Sequence, residues 1–183
     1  MREISLNLLS LLLVGFSFFM ARYFNNQVLP FLAFDDLTQF VYLPSGIRLL
    51  AVAIFGWLGA LGITLGWIFC HVVGGEKTFL ECLFIGLISG ATAMASWQIW
   101  QSFLKIEVDL DNLTLKYLLY LVSISSLVGA VVRYLYIASV DPLAQFWPIL
   151  TIGLVGDVTG ALIVLYLIKA IAWIWNSFSE KLR

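Results

Sequence analysis

Asp157 is the one charge in the stretch Ile149–Leu167, ILTIGLVGDVTGALIVLYL, and it stands between Gly156 and Gly160. A carboxylate that far from other charges is costly in an apolar medium, so it needs a neutralising partner or a chemical role. Arg133, in the preceding apolar stretch, is long enough to supply the partner. Three uses of the two residues stay open. They form an ion pair that locks two helices, they form a ligand or proton site, or Arg133 reaches the surface while Asp157 is protonated. Arg48 is the third candidate. It follows Pro44-Ser45-Gly46, a helix-start signal that leaves the first backbone N–H groups without intrahelical partners. Those groups suit an anion or a carboxylate, or they are capped by Ser45 or the preceding loop.

Other chemistry is thinner. Cys70, His71, Glu76, Glu81 and Cys82 crowd around one turn, but their spacing matches no zinc pattern. Cys70 and Cys82 are read as two free thiols, with a disulfide as the alternative if the turn faces an oxidising compartment. Gln98 and Gln101, beside Trp97 and Trp100, either bond neighbouring helices, line a pocket or mark the exit from the membrane. The chain has no nucleophile elbow, phosphate loop or usefully spaced acid pair. Neither enzymatic activity nor a metal or cofactor is expected.

The elements that must hold these residues are set by composition. Of 183 residues, 62% are hydrophobic and only 11% charged, against roughly 25% charged in soluble domains. Mean hydropathy is +1.00. An all-α integral membrane bundle in a single domain over residues 1–183 is the expectation. A net charge of −1 implies no nucleic-acid surface. Five apolar stretches approach or exceed the roughly 20 residues a bilayer crossing needs. They are Ile4–Phe24, Ile47–Val73, Phe79–Leu104, Leu115–Ala138 and Trp147–Trp175. Residues 25–46 are apolar on both sides of Asp35-Asp36. They read as an interfacial loop with a short amphipathic helix, or as a re-entrant segment shielded by protein. IEVDLDN at 106–112 is acidic and polar, and Asp141-Pro142 is a turn and helix-start signal.

With five spans and the N-terminus outside, Arg22, Arg48, Lys105, Lys116, Lys181 and Arg183 face the cytoplasm, with Lys169 near it. Arg2 and Lys77 face outward. If Ile47–Val73 is instead a broken pair of helices at its glycines, the count becomes six and the N-terminus turns inside. Trp97, Trp100, Trp147, Trp173, Trp175, Tyr134 and Tyr136 cluster near span ends and suit interfacial belts. Gly62 and Gly66, Gly86 and Gly90, and Gly156 and Gly160 each place two glycines on one helix face. Packing within the bundle is the expected use, with dimerisation the lesser one.

Tyr42-Leu43-Pro44-Ser45-Gly46-Ile47, then Gly56 and Gly62–Gly66, resembles the second-span region of the MASE1 domain, whose pattern there is approximately Trp-Pro-Pro-Ala/Ser-Gly-Ile. Gly156-Asp157-Val158-Thr159-Gly160-Ala161-Leu162 is similar to that family's closing Gly-Asp-x-x-Gly motif. Ser126–Val132, SLVGAVV, resembles its penultimate small-residue segment. The order agrees from about Leu11 to Ala172. Tyr42-Leu43 replaces Trp-Pro, the aromatic-Pro break near Ala60-Leu61 is lost, Leu154-Val155 replaces paired tryptophans, and Tyr166 stands for a late proline. The resemblance implies a membrane-embedded sensory input domain of a bacterial inner membrane. Such domains usually precede kinase, cyclase or phosphodiesterase modules, and some attend to a neighbouring membrane protein. About eight residues follow Trp175 here, so the signal is expected to pass to a separate output protein or membrane partner. The bilayer is the first partner and a small-molecule ligand a further one. The alternatives are a structural or assembly subunit of a membrane complex, and a small-molecule-binding subunit of a transporter. The last rests on architecture shared with the binding subunits of energy-coupling-factor transporters.

Overall fold

A computed structural model of the chain describes residues 2–35, 37–74, 78–104 and 115–181. Among the described residues the chain forms a bundle of six α-helices: α1 (Arg2–Val28), α2 (Pro44–Phe55), α3 (Trp57–Gly74), α4 (Phe79–Leu104), α5 (Leu115–Val140) and α6 (Phe146–Lys181). All but α2 are long and apolar enough to cross a bilayer. Leu8, Leu9, Leu12, Leu13 and Phe16 of α1 are exposed, as lipid-facing residues must be. The buried core runs through Phe18, Val52, Ile63, Trp100, Leu121 and Ala161. It is a membrane protein, and the acidic stretch at 106–112 lies outside the described residues.

Ile47–Val73 is not one span. The chain leaves α2 at Gly56, whose φ of 56° is left-handed and suits only a residue without a Cβ, and turns straight into α3. The absent side chain of Gly59 lets α3 close back on α2. A Cβ there would strike the Ala51 carbonyl. The glycine-rich sequence therefore makes a helical hairpin rather than a kinked helix.

Contacts fix the direction of each helix. Gly15 faces Gly62 and Phe18 faces Gly66, so α1 and α3 run parallel. Gly86 faces Thr64 and Gly90 faces Ala60, so α4 returns against α3. Trp100 Nε1 donates to the Tyr117 carbonyl (3.2 Å), which sets α5 against α4. Arg133 lies over Gly153 and Gly129 faces Asp157, which sets α6 against α5. Gly46 packs on Val164, so α2 rises alongside α6. The chain traverses the bundle six times, and both termini emerge at one end. The five-span arrangement, which separates the termini, is replaced by the broken-pair alternative.

The second traverse is half irregular. Between Val28 and Pro44 the chain makes one turn of 3₁₀-helix (Pro30–Leu32) and then a tight loop. Asp35 Oδ1 accepts from the N–H groups of Leu37 and Thr38, both at 2.7 Å, and the Phe40 N–H donates to the Leu32 carbonyl (2.9 Å). Residues 39–43 then lie against Gly156–Gly160, the middle of the apolar window Phe146–Ile171 of α6. The irregular segment thus lies against α6, and α2 carries the chain on from it to the opposite end. Irregular backbone survives at such depth only where protein covers it.

Candidate functional site

Two features satisfy the irregular segment before α2. Asn25, fully buried near the end of α1, donates through Nδ2 to the Val41 carbonyl (3.0 Å) and to Gln39 Oε1, and accepts through Oδ1 from the Leu43 N–H (2.8 Å). Gln39 Nε2 in turn donates to Asn26 Oδ1 (3.0 Å). On the other side α6 offers bare backbone. The Tyr42 N–H donates to the Gly156 carbonyl (3.0 Å). A Cβ on Gly156 would strike the Gln39 carbonyl, and one on Gly160 the Tyr42 carbonyl. Gly156 and Gly160 therefore admit a strand of irregular chain, whereas Gly62 with Gly66 and Gly86 with Gly90 pack helix on helix. All three pairs face close neighbours, but the third has a different partner.

Close seating of this segment delivers Arg48 to Asp157. The Ser45 hydroxyl lies 2.8 Å from the Tyr42 carbonyl and 2.7 Å from the Asp157 carbonyl, tying the start of α2 to α6. The Ser45 and Gly46 N–H groups donate to the carbonyls of Tyr42 and Leu43, both at 3.1 Å. The Pro-Ser-Gly start is thus capped by its own loop and offers no anion site. Three helices meet at the carboxylate. Arg133 Nη2 from α5 bonds both Asp157 oxygens at 2.9 Å, and Arg48 Nη2 from α2 lies 3.3 Å from Oδ1. The Asp157 side chain is 1% exposed and each arginine side chain 9%. A shared carboxylate between two guanidiniums is the arrangement that makes a buried acid tolerable. Asp157, Arg133 and Arg48 form one cluster.

Around the cluster the walls are mixed. Tyr42 lies beneath both guanidiniums, 5.7 Å from that of Arg48 and 5.5 Å from that of Arg133. Arg48 Nη1 lies 3.5 Å from Ser89 Oγ on α4. Gly129 leaves the room. A Cβ there would stand 3.0 Å from Asp157 Oδ2. Tyr42, Arg48, Trp67, Ser89, Thr92 and Arg133 border a cavity of about 60 Å³, room for a few water-sized groups. Trp67 also borders a wider vestibule of about 360 Å³, with Arg22, Asn26, Gln27, Cys70 and Cys82 on its walls. The Arg22 guanidinium sits 3.9 Å over the Trp67 ring and 3.5 Å from the Tyr42 hydroxyl. The arrangement can bind and orient a small polar group.

The remaining candidates fall elsewhere. Cys70 and Cys82 lie on the vestibule wall with no disulfide between them. Glu76 and the side chain of His71 lie outside the described residues. Gln98 is exposed and Gln101 half-buried, and neither borders the cavity. Trp147 and Trp175 are exposed, as belt residues should be. Trp97 and Trp100 are not. They stack at 5.1 Å inside the core, because the end of α4 is covered by α5. Tyr136 borders the cavity and Tyr134 packs edge-on against Phe146, while the side chain of Trp173 lies outside the described residues. Sequence reasoning missed Asn25, Trp67 and Ser89 as parts of the site. A polar Asn25-Asn26-Gln27 run directly after an apolar span was the available signal for the first. Trp67 and Ser89 carried none, since each reads as an ordinary helix residue.

Compared with family models, curated proteins and solved structures, the chain matches none of them.

Proposed function

We propose that this chain is a non-catalytic module of a bacterial inner membrane, MASE1-like in kind, which binds a small ligand at the Arg48–Arg133–Asp157 cluster and acts in trans through another protein. One observation carries the reading. Three charged side chains from three helices meet in mid-bundle beside a cavity, where a purely mechanical joint is served as well by apolar packing. The vestibule supports it by giving the cavity a second, wider chamber on the far side of Trp67.

Charge supports an orientation with both termini in the cytoplasm. With six traverses, Arg2, Lys105, Lys116, Lys169, Lys181 and Arg183 belong by sequence to the end that holds the termini. Lys77 belongs to the opposite end. Arg22, on the vestibule wall near the end of α1, belongs there too, and six charges against two still follow the positive-inside pattern. The vestibule, at the ends of α1 and α3 where Gln27 and Gly74 lie, then faces outward.

Thermal unfolding of the protein in lipid nanodiscs, against a library of small metabolites, tests the binding reading. At least one compound should raise Tm by several degrees, and Arg48→Gln should remove the rise. A uniformly flat library contradicts the reading. Recovery from native membranes in mild detergent should bring down a stoichiometric partner; a lone chain at native expression contradicts action in trans.

A further inference from the structure

The cavity has a chemical bias that the ion cluster does not absorb. Arg48 and Arg133 bring two positive charges to its wall and Asp157 one negative. Among the described residues Asp35 is the other acid in electrostatic reach of Arg133, but its carboxylate is held by the Leu37 and Thr38 N–H groups of its own loop. The hydrogen-bond inventory points the same way and does not depend on that sum. Arg48 Nε and Trp67 Nε1 are fully buried and make no hydrogen bond among the described residues. Both belong to residues that border the cavity, and both atoms can only donate. A buried donor without an acceptor is destabilising, and more so when it carries charge. Two such donors on residues that line one small cavity, beside an excess of guanidinium, ask for an acceptor-rich, negatively charged guest.

We infer that the cavity is a binding site for a planar oxyanion, of the size of formate, nitrate or bicarbonate, received by the Arg48 Nε and Trp67 Nε1 donors. This names the ligand class for the binding reading above and rests on it. A guanidinium edge and an indole N–H match two oxygens of such a group. The volume of about 60 Å³ sets the size, since it has room for only a few heavy atoms. The same chemistry is found in the carboxylate head of a longer acid, whose tail would pass Trp67 into the vestibule. Arg22, stacked on Trp67, lines the vestibule side of that ring.

The test titrates the full-length protein in nanodiscs with sodium formate, nitrate, butyrate and benzoate at constant ionic strength. Acetamide and urea are the neutral counterparts. Binding is read as a rise in Tm and, on the unaltered protein, by saturation-transfer NMR on formate protons. The anions should bind and the neutral compounds should not. Tighter binding of butyrate or benzoate than of formate assigns the site to the head of a larger acid, and the reverse assigns it to a free small anion. Trp67→Phe, which keeps the ring and removes the donor, should weaken binding about tenfold, as should Arg48→Lys, which keeps the charge and removes Nε. Equal responses in all three proteins mean a general salt effect and overturn the inference, as does absence of saturation transfer from formate together with no rise in Tm from any acid. If a neutral metabolite binds instead, the binding module stands and the oxyanion class falls. A library that is flat throughout removes both.

Discussion

Two glycine pairs with the same spacing do different work in this bundle. Gly62 and Gly66 of α3 meet α1, where added Cβ atoms would stand 2.6 Å from the Val14 side chain and 2.7 Å from that of Phe18. That seam is dry helix-on-helix packing, and what it determines is distance. Gly156 and Gly160 of α6 meet the carbonyls of Gln39 and Tyr42 in the irregular segment before α2. That seam determines where a charge goes. It lets irregular backbone reach the middle of α6, so that α2 starts beside Asp157 and places Arg48 against it. Small residues thus permit close approach, and the partner decides whether the outcome is stability or a site.

The largest effect expected from breaking this contrast comes from the charge itself. Asp157→Asn leaves two buried guanidiniums without a counter-charge and should destabilise the bundle by about 3–5 kcal/mol, measured by denaturant unfolding in detergent. Next is Asn25→Ala. It strips partners from the Leu43 N–H and the Val41 carbonyl, and about 3 kcal/mol should be lost. A loss below about 0.5 kcal/mol would show that the segment is not held from α1.

The glycines themselves sharpen the contrast. Gly156→Ala should cost about 2 kcal/mol and also remove ligand-induced stabilisation, because the segment must lift and take Arg48 with it. Gly62→Ala should cost about 1 kcal/mol and leave that stabilisation intact, since α1 can shift outward into lipid. If both variants lose stability alike and both keep the ligand response, the two seams are equivalent and the distinction fails.

Much of this was legible. Length and apolarity located the ends of α4 within a residue, because nothing but a helix satisfies its backbone in a bilayer. Asp157 and Arg133 announced each other as lone charges in apolar runs. The second traverse was legible only as two alternatives, since Gly56, Gly59, Gly62 and Gly66 are as compatible with one loosely packed helix as with a hairpin. What chose between them was the φ of Gly56 and the Gly59–Ala51 contact, which periodicity does not encode. Tyr42 and Asn25 were hidden for a related reason. Their roles depend on a loop folding inward, and the hydropathy of a loop does not say which way it turns.

The account depends most on Arg48 meeting Asp157 across the start of α2 and the middle of α6, residues 109 positions apart. A double-mutant cycle with Arg48→Gln, Asp157→Asn and the double variant, in unfolding free energy, measures that contact directly. A coupling of about 1 kcal/mol or more is predicted, because Asp157→Asn alone strands two guanidiniums whereas the double variant strands only that of Arg133. Strictly additive losses would place Arg48 away from the carboxylate and contradict the account.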